Sequence, residues 1–408
     1  MPQSPILRFI ASITPGIFMI GYVIGTGSVT TMASAGASYG MSLAWTLAFA
    51  SLFTHIMMVA LSRLTILTGE TTLHTFRKHF GSPVTMFIIG SLMITQIASI
   101  IGVMAIVSDV FREWTAQLTG GSGVPPLGAA AVFTLLLIGL YWVGRHQFFL
   151  RVLASLVAVM GVAGGCTALT VAPDPKAAAA GLIPSIPDVG NPALLIAGMV
   201  GTTMASVCLI TRGVLVQEKG WTMTASPEVV RDSGVSMTLL FFINMAIMAC
   251  AAGTLFREGK PVEQAIDMVR TLEPLAGPIA VTGFVLGILA AGLSSLFPNY
   301  LLGPWLVADF AGIPRTMGRS SFRAMVVVAA VFGLFVPLFG GRPVQIMIAS
   351  QAVSPLVMPL LAAFVWILIN RKSVARDHKP STLLNIGMGV TVVFTLYMLD
   401  LALVGFLG

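Results

Sequence analysis

Long apolar runs joined by short polar connectors fill the chain from about residue 10 to residue 406. Runs of about 17 residues or more are long enough to cross a bilayer as helix. They predict eleven spans, at 10–36, 41–66, 83–110, 127–143, 148–172, 192–216, 234–255, 278–308, 324–340, 345–370 and 384–406. The first is interrupted. Between Ile20 and Thr31 it holds the glycines Gly21, Gly25 and Gly27 and the hydroxyls of Thr26, Ser28, Thr30 and Thr31, where a plain span would hold leucine. In hydrocarbon a weakened helix is tolerated only where its freed backbone groups line a cavity or lie within protein. The stretch therefore reads as a broken helix at a solute site, or as a seam where small residues let helices approach.

The sixth span repeats this character over Gly198–Cys208, with Gly201, Thr202, Thr203 and Ser206 near its middle. Each interrupted span opens a block of five, and the eleventh is left over. That spacing predicts an inverted repeat, about 10–172 and about 192–370, with an extra helix at 384–406 and a solute site at the midplane between the two broken helices.

Composition agrees. Of 408 residues, 56% are hydrophobic and only 9% charged, and the mean hydropathy is +0.95, far from the soluble range. The chain is expected to be all-α and polytopic, one transmembrane domain over 1–408 with no appended globular unit. Met1–Arg8 is too short and too weakly basic for a separate signal peptide, so the first run is expected to stay in the mature protein. Cys166, Cys208 and Cys250 all lie in apolar runs without metal or disulfide spacing.

The net charge of +7 reflects topology rather than nucleic-acid binding. With the N-terminus in the cytoplasm, Arg8, Arg63, Arg77, Lys78, Arg145, Arg151, Arg212, Lys219, Arg231, Arg315, Arg319, Arg323, Arg371, Lys372, Arg376 and Lys379 fall on or near the inside. Outside remain Arg112, Lys176, Arg257, Lys260, Arg270 and Arg342. The bias predicts N-terminus in and C-terminus out, and the compact chain without targeting segments points to a bacterial-type inner membrane. The longer external segments, 173–190 and 256–277, look like loops, the second with a short surface helix.

At several points the sequence resembles the NRAMP family of proton-coupled divalent-metal transporters. Ala35-Gly36-Ala37-Ser38-Tyr39-Gly40-Met41-Ser42-Leu43-Ala44-Trp45 is similar to the family pattern after its first helix. Ser62-Arg63-Leu64 with Thr68-Gly69, Gly201 with Leu215-Val216-Gln217, Leu272-Glu273-Pro274-Leu275, Ala290-Ala291-Gly292-Leu293-Ser294-Ser295 and Ser350-Gln351 follow in the family's order. The resemblance implies a leucine-transporter-like fold with broken helices 1 and 6 and the transport of a metal cation by alternating access.

The family's ligands do not come with the framework. Gly25-Thr26-Gly27-Ser28 stands where the family has Asp-Pro-Gly-Asn, and Ala205-Ser206-Val207 where it has Met-Pro-His. The acidic pair of the third helix, linked in the family to proton release, falls on Gln96 and Ser99, and a family histidine falls on Arg212. Gln351 is the family site position that is clearly kept. Of the fifteen acids, Asp109, Asp309 and Asp400 lie near span ends and the other twelve are assigned to loops.

A dehydrated divalent ion needs charge compensation as well as oxygen ligands, and the sixth-helix thioether that favours softer metals is missing. The expected binding set is Gly25, Thr26, Gly27, Ser28, Thr202, Ala205, Ser206 and Gln351, altered away from manganese or iron and toward hard ions such as magnesium. The alternative is a small carboxylate or amino-acid-like solute, held by backbone amides and the positive end of a half-helix at Gly25-Thr26-Gly27.

Candidates for coupling or the pathway are His55, Gln96, Ser99 and Arg212. His55 suits a proton carrier or a packed core position. Arg212 suits an anion's exit route or an interfacial arginine reaching for headgroups. Proton coupling, sodium coupling and uncoupled transport all stay open. No cofactor is implied. No nucleophile, acid and base converge, which excludes an enzyme reading, and no filter repeat suggests a channel.

Overall fold

The computed structural model describes residues 14–143, 175–265, 267–268, 273–313 and 318–407. The first span is two helices, α1 (Thr14–Val23) and α2 (Thr26–Tyr39). Next come α3 (Ala44–Thr68), the short connector α4 (Thr72–Phe80), α5 (Ser82–Thr119) and α6 (Pro126–Val143). The sixth span is α7 (Pro192–Thr203) and α8 (Ser206–Lys219), followed by α9 (Ser226–Gly253), α10 (Glu273–Ala311) and α11 (Ser320–Val331). The tenth is α12 (Pro343–Ala352) and α13 (Met358–Asn370), and α14 (Thr382–Leu407) is the eleventh. The predicted fifth span and Cys166 lie outside the described residues.

Among the described residues, nine segments are long and apolar enough to cross a bilayer. They coincide with nine of the predicted runs. Local chemistry sets the boundaries. Proline at the start of α5, α7, α9, α12 and α13 begins a helix where a missing N–H costs nothing. Gly69 and Gly220, at φ 69° and 67°, end α3 and α8 in the left-handed conformation.

Burial separates centre from rim. The sixth span is 89% buried within the protein, against 28% for the fourth and 39% for the eleventh. The exposed rim carries Phe87, Leu135, Val143, Phe339 and Leu407, an apolar surface suited to lipid. The buried halves of the broken spans are enclosed by their neighbours: α2 packs on α9, α8 on α3, α7 on α12 and α14, and α5 on both α10 and α12.

Several loop assignments are corrected: Glu113 lies within α5, Glu218 within α8 and Glu228 within α9. The apolar run of the seventh span starts at residue 234, but the helix starts at Ser226 and carries Asp232 inside it, completely buried. In the segment 256–277 the described residues near Asp267 form a short 3-10 turn, in which the Asp267 carboxylate accepts from the N–H groups of Glu263 and Gln264.

Candidate solute site between two broken helices

The first break begins where α1 stops at Val23. Gly25 is extended, at φ −137° and ψ −167°, and α2 starts at Thr26 without a side-chain cap. The Ser28 hydroxyl donates to the Val23 carbonyl at 2.6 Å and lies 3.1 Å from Thr202 Oγ1. The Val23 carbonyl also accepts from the Gly25 N–H at 2.9 Å, so the Ser28 hydroxyl adds a second donor to it and joins the two breaks. Gly25 is a contact position: a Cβ there would overlap Ser295 Oγ of α10 and come within 2.9 Å of Ser295 Cβ. At Gly27 a Cβ would meet Met347 Cε at 2.7 Å and the Gln351 amide carbon at 3.2 Å.

The second break is Met204-Ala205, and α8 restarts at Ser206, again without a side-chain cap. It is spanned by Ser354, whose hydroxyl accepts from the Ser206 N–H at 3.0 Å and donates to the Met204 carbonyl at 3.2 Å. Ser354 lies in a third break, since the tenth span leaves α-helical geometry after Ala352 and passes through a 3-10 turn before α13. The sequence signal was Pro355 followed by Pro359 inside an apolar run, because proline removes a helical donor and restricts the residue before it. Gly201 lets this segment approach: a Cβ there would overlap the Gln351 carbonyl oxygen.

A cavity of about 20 Å³ lies where these segments meet, room for one water-sized occupant. Tyr22, Val23, Gly25 and Gly27 line it from the first span, Ser99 and Val103 from the third, and Thr202 and Ala205 from the sixth. Ser295 and Asn299 of α10 and Met347 and Gln351 of α12 complete the wall. Gly25, Gly27, Ser99, Thr202, Ala205 and Gln351 are therefore brought together. Thr26, Ser28 and Ser206 are buried beside the wall but do not form it.

Met347 was missed in the sequence. It sits one helical turn before Gln351, the spacing that puts two side chains on one face, and supplies a thioether that the sixth span lacks. Ser295 was quoted only as framework; its buried hydroxyl lines the cavity without a hydrogen-bond partner.

Among the described residues, neither acid nor histidine is on the wall. Among the described residues no group of three or more His, Cys, Asp or Glu side chains is placed to hold a metal. Gln96 stands just behind the wall in a neutral network. Its amide donates to the Asn299 carbonyl at 2.7 Å and to the Asn299 side-chain oxygen, and Asn299 Nδ2 donates to the Ser295 carbonyl at 2.8 Å. The Tyr22 hydroxyl lies 3.1 Å from Asn299 Oδ1 and 3.3 Å from Gln96 Oε1.

Two pathway candidates lie away from the cavity. His55 packs near Gly234 of α9: a Cβ built there would be 3.8 Å from His55 Cε1. Arg212 does not reach for the membrane interface in this structure. It is fully buried, and Nη2 lies 2.6 Å from Asp232 Oδ2.

The Nramp profile, described as natural resistance-associated macrophage protein-like, matches residues 16–404. The chain belongs to the Nramp family. Relatives include the divalent metal cation transporter MntH of Klebsiella pneumoniae strain 342, 31% identical over 345 residues, covering 81% of this chain and 78% of the relative. The MntH of Deinococcus radiodurans is 28% identical over 364 residues, covering 85% and 78%. Among solved structures, the manganese transporter of Eremococcus coleocola superimposes with a TM-score of 0.74 at 16% identity, covering 99% of this chain and 87% of that one. MhsT in complex with L-phenylalanine gives 0.59 at 16%, covering 98% of each chain.

These likenesses place the Nramp chain in the leucine-transporter-like fold, as its two broken spans predict. It is an integral membrane protein of a transporter family and not an enzyme.

Proposed function

We propose that this Nramp chain is a secondary transporter that moves a metal cation by alternating access through the cavity between its broken helices. The observation that carries the reading is the convergence of both main breaks, from sequence segments 25–28 and 204–206, on one water-sized space. A bare or partly hydrated ion suits that size. The names of the MntH relatives give the substrate class.

The side-chain donors on the wall are neutral: hydroxyls, amides and one thioether. None compensates a divalent charge, so the site is altered away from tight manganese or iron binding and toward weakly held hard ions such as magnesium. The Met347 thioether favours softer metals, but as a neutral donor it leaves the charge uncompensated. With Gln96 and Ser99 in place of an acidic pair, the reading favours sodium-coupled or uncoupled transport over proton coupling. The distribution of Lys and Arg orients the N-terminus to the cytoplasm, with a bacterial inner membrane as the setting.

One observation favours a second reading, a small carboxylate solute. The α2 helix begins at the cavity without a side-chain cap, and helix N-termini attract anions. Uptake into proteoliposomes separates the two, using magnesium, manganese and a panel of small carboxylates across imposed pH and sodium gradients. Magnesium uptake only weakly competed by manganese is the expected result. Competition at micromolar manganese would overturn the shift in selectivity, and carboxylate uptake without metal uptake would overturn the cation reading.

A further inference from the structure

On the side assigned to the cytoplasm, the inner halves of both broken spans are tied together by one buried ion pair. Arg212 lies about 10 Å along α8 from the break at Ala205, at 1.5 Å of rise per residue. Its Nη2 is 2.6 Å from Asp232 Oδ2 of α9, and neither side chain is exposed. The other contacts recruit two more helices. Arg212 Nε donates to Ser62 Oγ of α3 at 2.9 Å, and Asp232 Oδ1 accepts from the Gly16 N–H of α1 at 2.8 Å. The guanidinium also lies over the Trp221 ring, 5.5 Å from its centroid.

Glycines let these elements close on the pair. A Cβ at Gly16 would overlap Ser236 Oγ and meet Asp232 Oδ1 at 2.8 Å. One at Gly213 would meet Thr72 Oγ1 at 2.6 Å and Thr65 Oγ1 at 2.9 Å. Any widening of the inner route between α1, α3, α8 and α9 must separate Arg212 from Asp232 or Ser62, or Asp232 from Gly16.

Apolar packing could hold the same helices without this risk. A buried ion pair adds little net stability, but separating its partners without water leaves two uncompensated charges. The contact is therefore close to all-or-none: intact when the inner side is dry, parted only when water enters.

We propose that Arg212 and Asp232 form the inner gate latch of the transport cycle, closed in this structure and parted and hydrated when the cavity opens to the cytoplasm. The proposal rests on the alternating-access reading and is independent of the solute carried.

Cys208 supplies a native reporter. It lies one turn before Arg212 on α8 and is buried, 1% exposed. With Cys166→Ser and Cys250→Ser as background, the full chain in inside-out vesicles is treated with a membrane-impermeant thiol reagent. The modification rate of Cys208 is then read by mass.

With the pair intact, labelling is slow. Arg212→Gln and Asp232→Asn each raise the rate at least tenfold in protein that keeps its size-exclusion profile, while Arg212→Lys retains slow labelling. Should a neutralised variant not fold, Ser62→Ala, which loosens only the Nε contact, raises the rate by a smaller factor. Unchanged labelling in the folded variants would overturn the latch and leave the pair a purely structural contact. Labelling is measured without any solute, so failure of the latch is distinct from failure to find a transported ion, which only the uptake assay reports.

Discussion

Restoring a carboxylate at position 25 tests the site most directly, and the structure gives the scale of the effect. A Cβ on residue 25 would overlap Ser295 Oγ, come within 2.9 Å of Ser295 Cβ and lie 3.5 Å from the Ala291 carbonyl. Overpacking of this kind costs about 1–3 kcal/mol. Gly25→Ala should therefore lower the melting temperature in detergent. Ser295→Ala should do little, because the hydroxyl it removes has no hydrogen-bond partner. In the double variant the overlap with Oγ is gone and only the 2.9 Å approach must relax. The cycle should show a favourable coupling of about 0.5–3 kcal/mol, the range for residues in contact.

On that background Gly25→Asp adds one negative charge to a wall that has none. Two unit charges 4 Å apart attract by about 4 kcal/mol at an effective dielectric of about 20. A divalent ion doubles this, and desolvation of both partners removes much of it. A surviving gain of only about 1.4 kcal/mol is tenfold in affinity. The assay is binding of magnesium and manganese to purified Gly25→Asp/Ser295→Ala by calorimetry, with a small carboxylate as comparison. Cation affinity should rise at least tenfold and carboxylate binding should be lost. Equal stability of Gly25→Ala and the wild type would refute the packing argument. No gain in cation affinity in the folded double variant would refute the placement of the ion beside Gly25.

Other expectations follow from the same geometry. Ser354→Ala leaves the Ser206 N–H and Met204 carbonyl buried without their bridge, at a cost of about 1–3 kcal/mol per unsatisfied group; thermal unfolding should register it and uptake should fall. Gly201→Ala pushes a methyl into the Gln351 carbonyl, which is backbone and cannot rotate away, whereas Gly21→Ala meets nothing within 4 Å. Uptake should therefore collapse for the first and persist for the second, measured at equal expression. Because the cavity wall carries no Asp, Glu or His among the described residues, initial uptake rates without a pH gradient should vary less than about twofold between pH 5.5 and 7.5, a range in which unperturbed histidine changes charge. A steep acid dependence would place a titrating group on the path.

The spans were legible because lipid imposes a length and a composition on any helix that crosses it. The breaks were legible because glycine and hydroxyl clusters are uncommon in such helices. Partners that lie across helices were not. Asp232 precedes the apolar run of its span and was assigned to a loop, although α9 begins at Ser226 and buries it against Arg212. Arg212 likewise looked interfacial, because a buried arginine is tolerable only with a partner 20 residues along the chain that sequence spacing does not mark. Met347 looked like one more apolar residue of the tenth span; only its position a turn before Gln351, facing Gly27, makes it part of the wall.

Gly25 shows how far an absence can be read. The sequence identifies a missing aspartate, and the natural inference is a site with one ligand subtracted. In the folded chain no vacancy is left there, because Ser295 of α10 occupies the space that a side chain at 25 would need, and Asn299 Nδ2 donates to its carbonyl while Gln96 supports Asn299. The third, eighth and first spans thus pack together around a neutral residue. Regaining a carboxylate takes changes at two positions at least, since either alone leaves an overlap or an empty pocket. The altered wall is therefore a packed arrangement in its own right, and the chemistry of its solute has to be sought from Ser295, Gln351 and Met347.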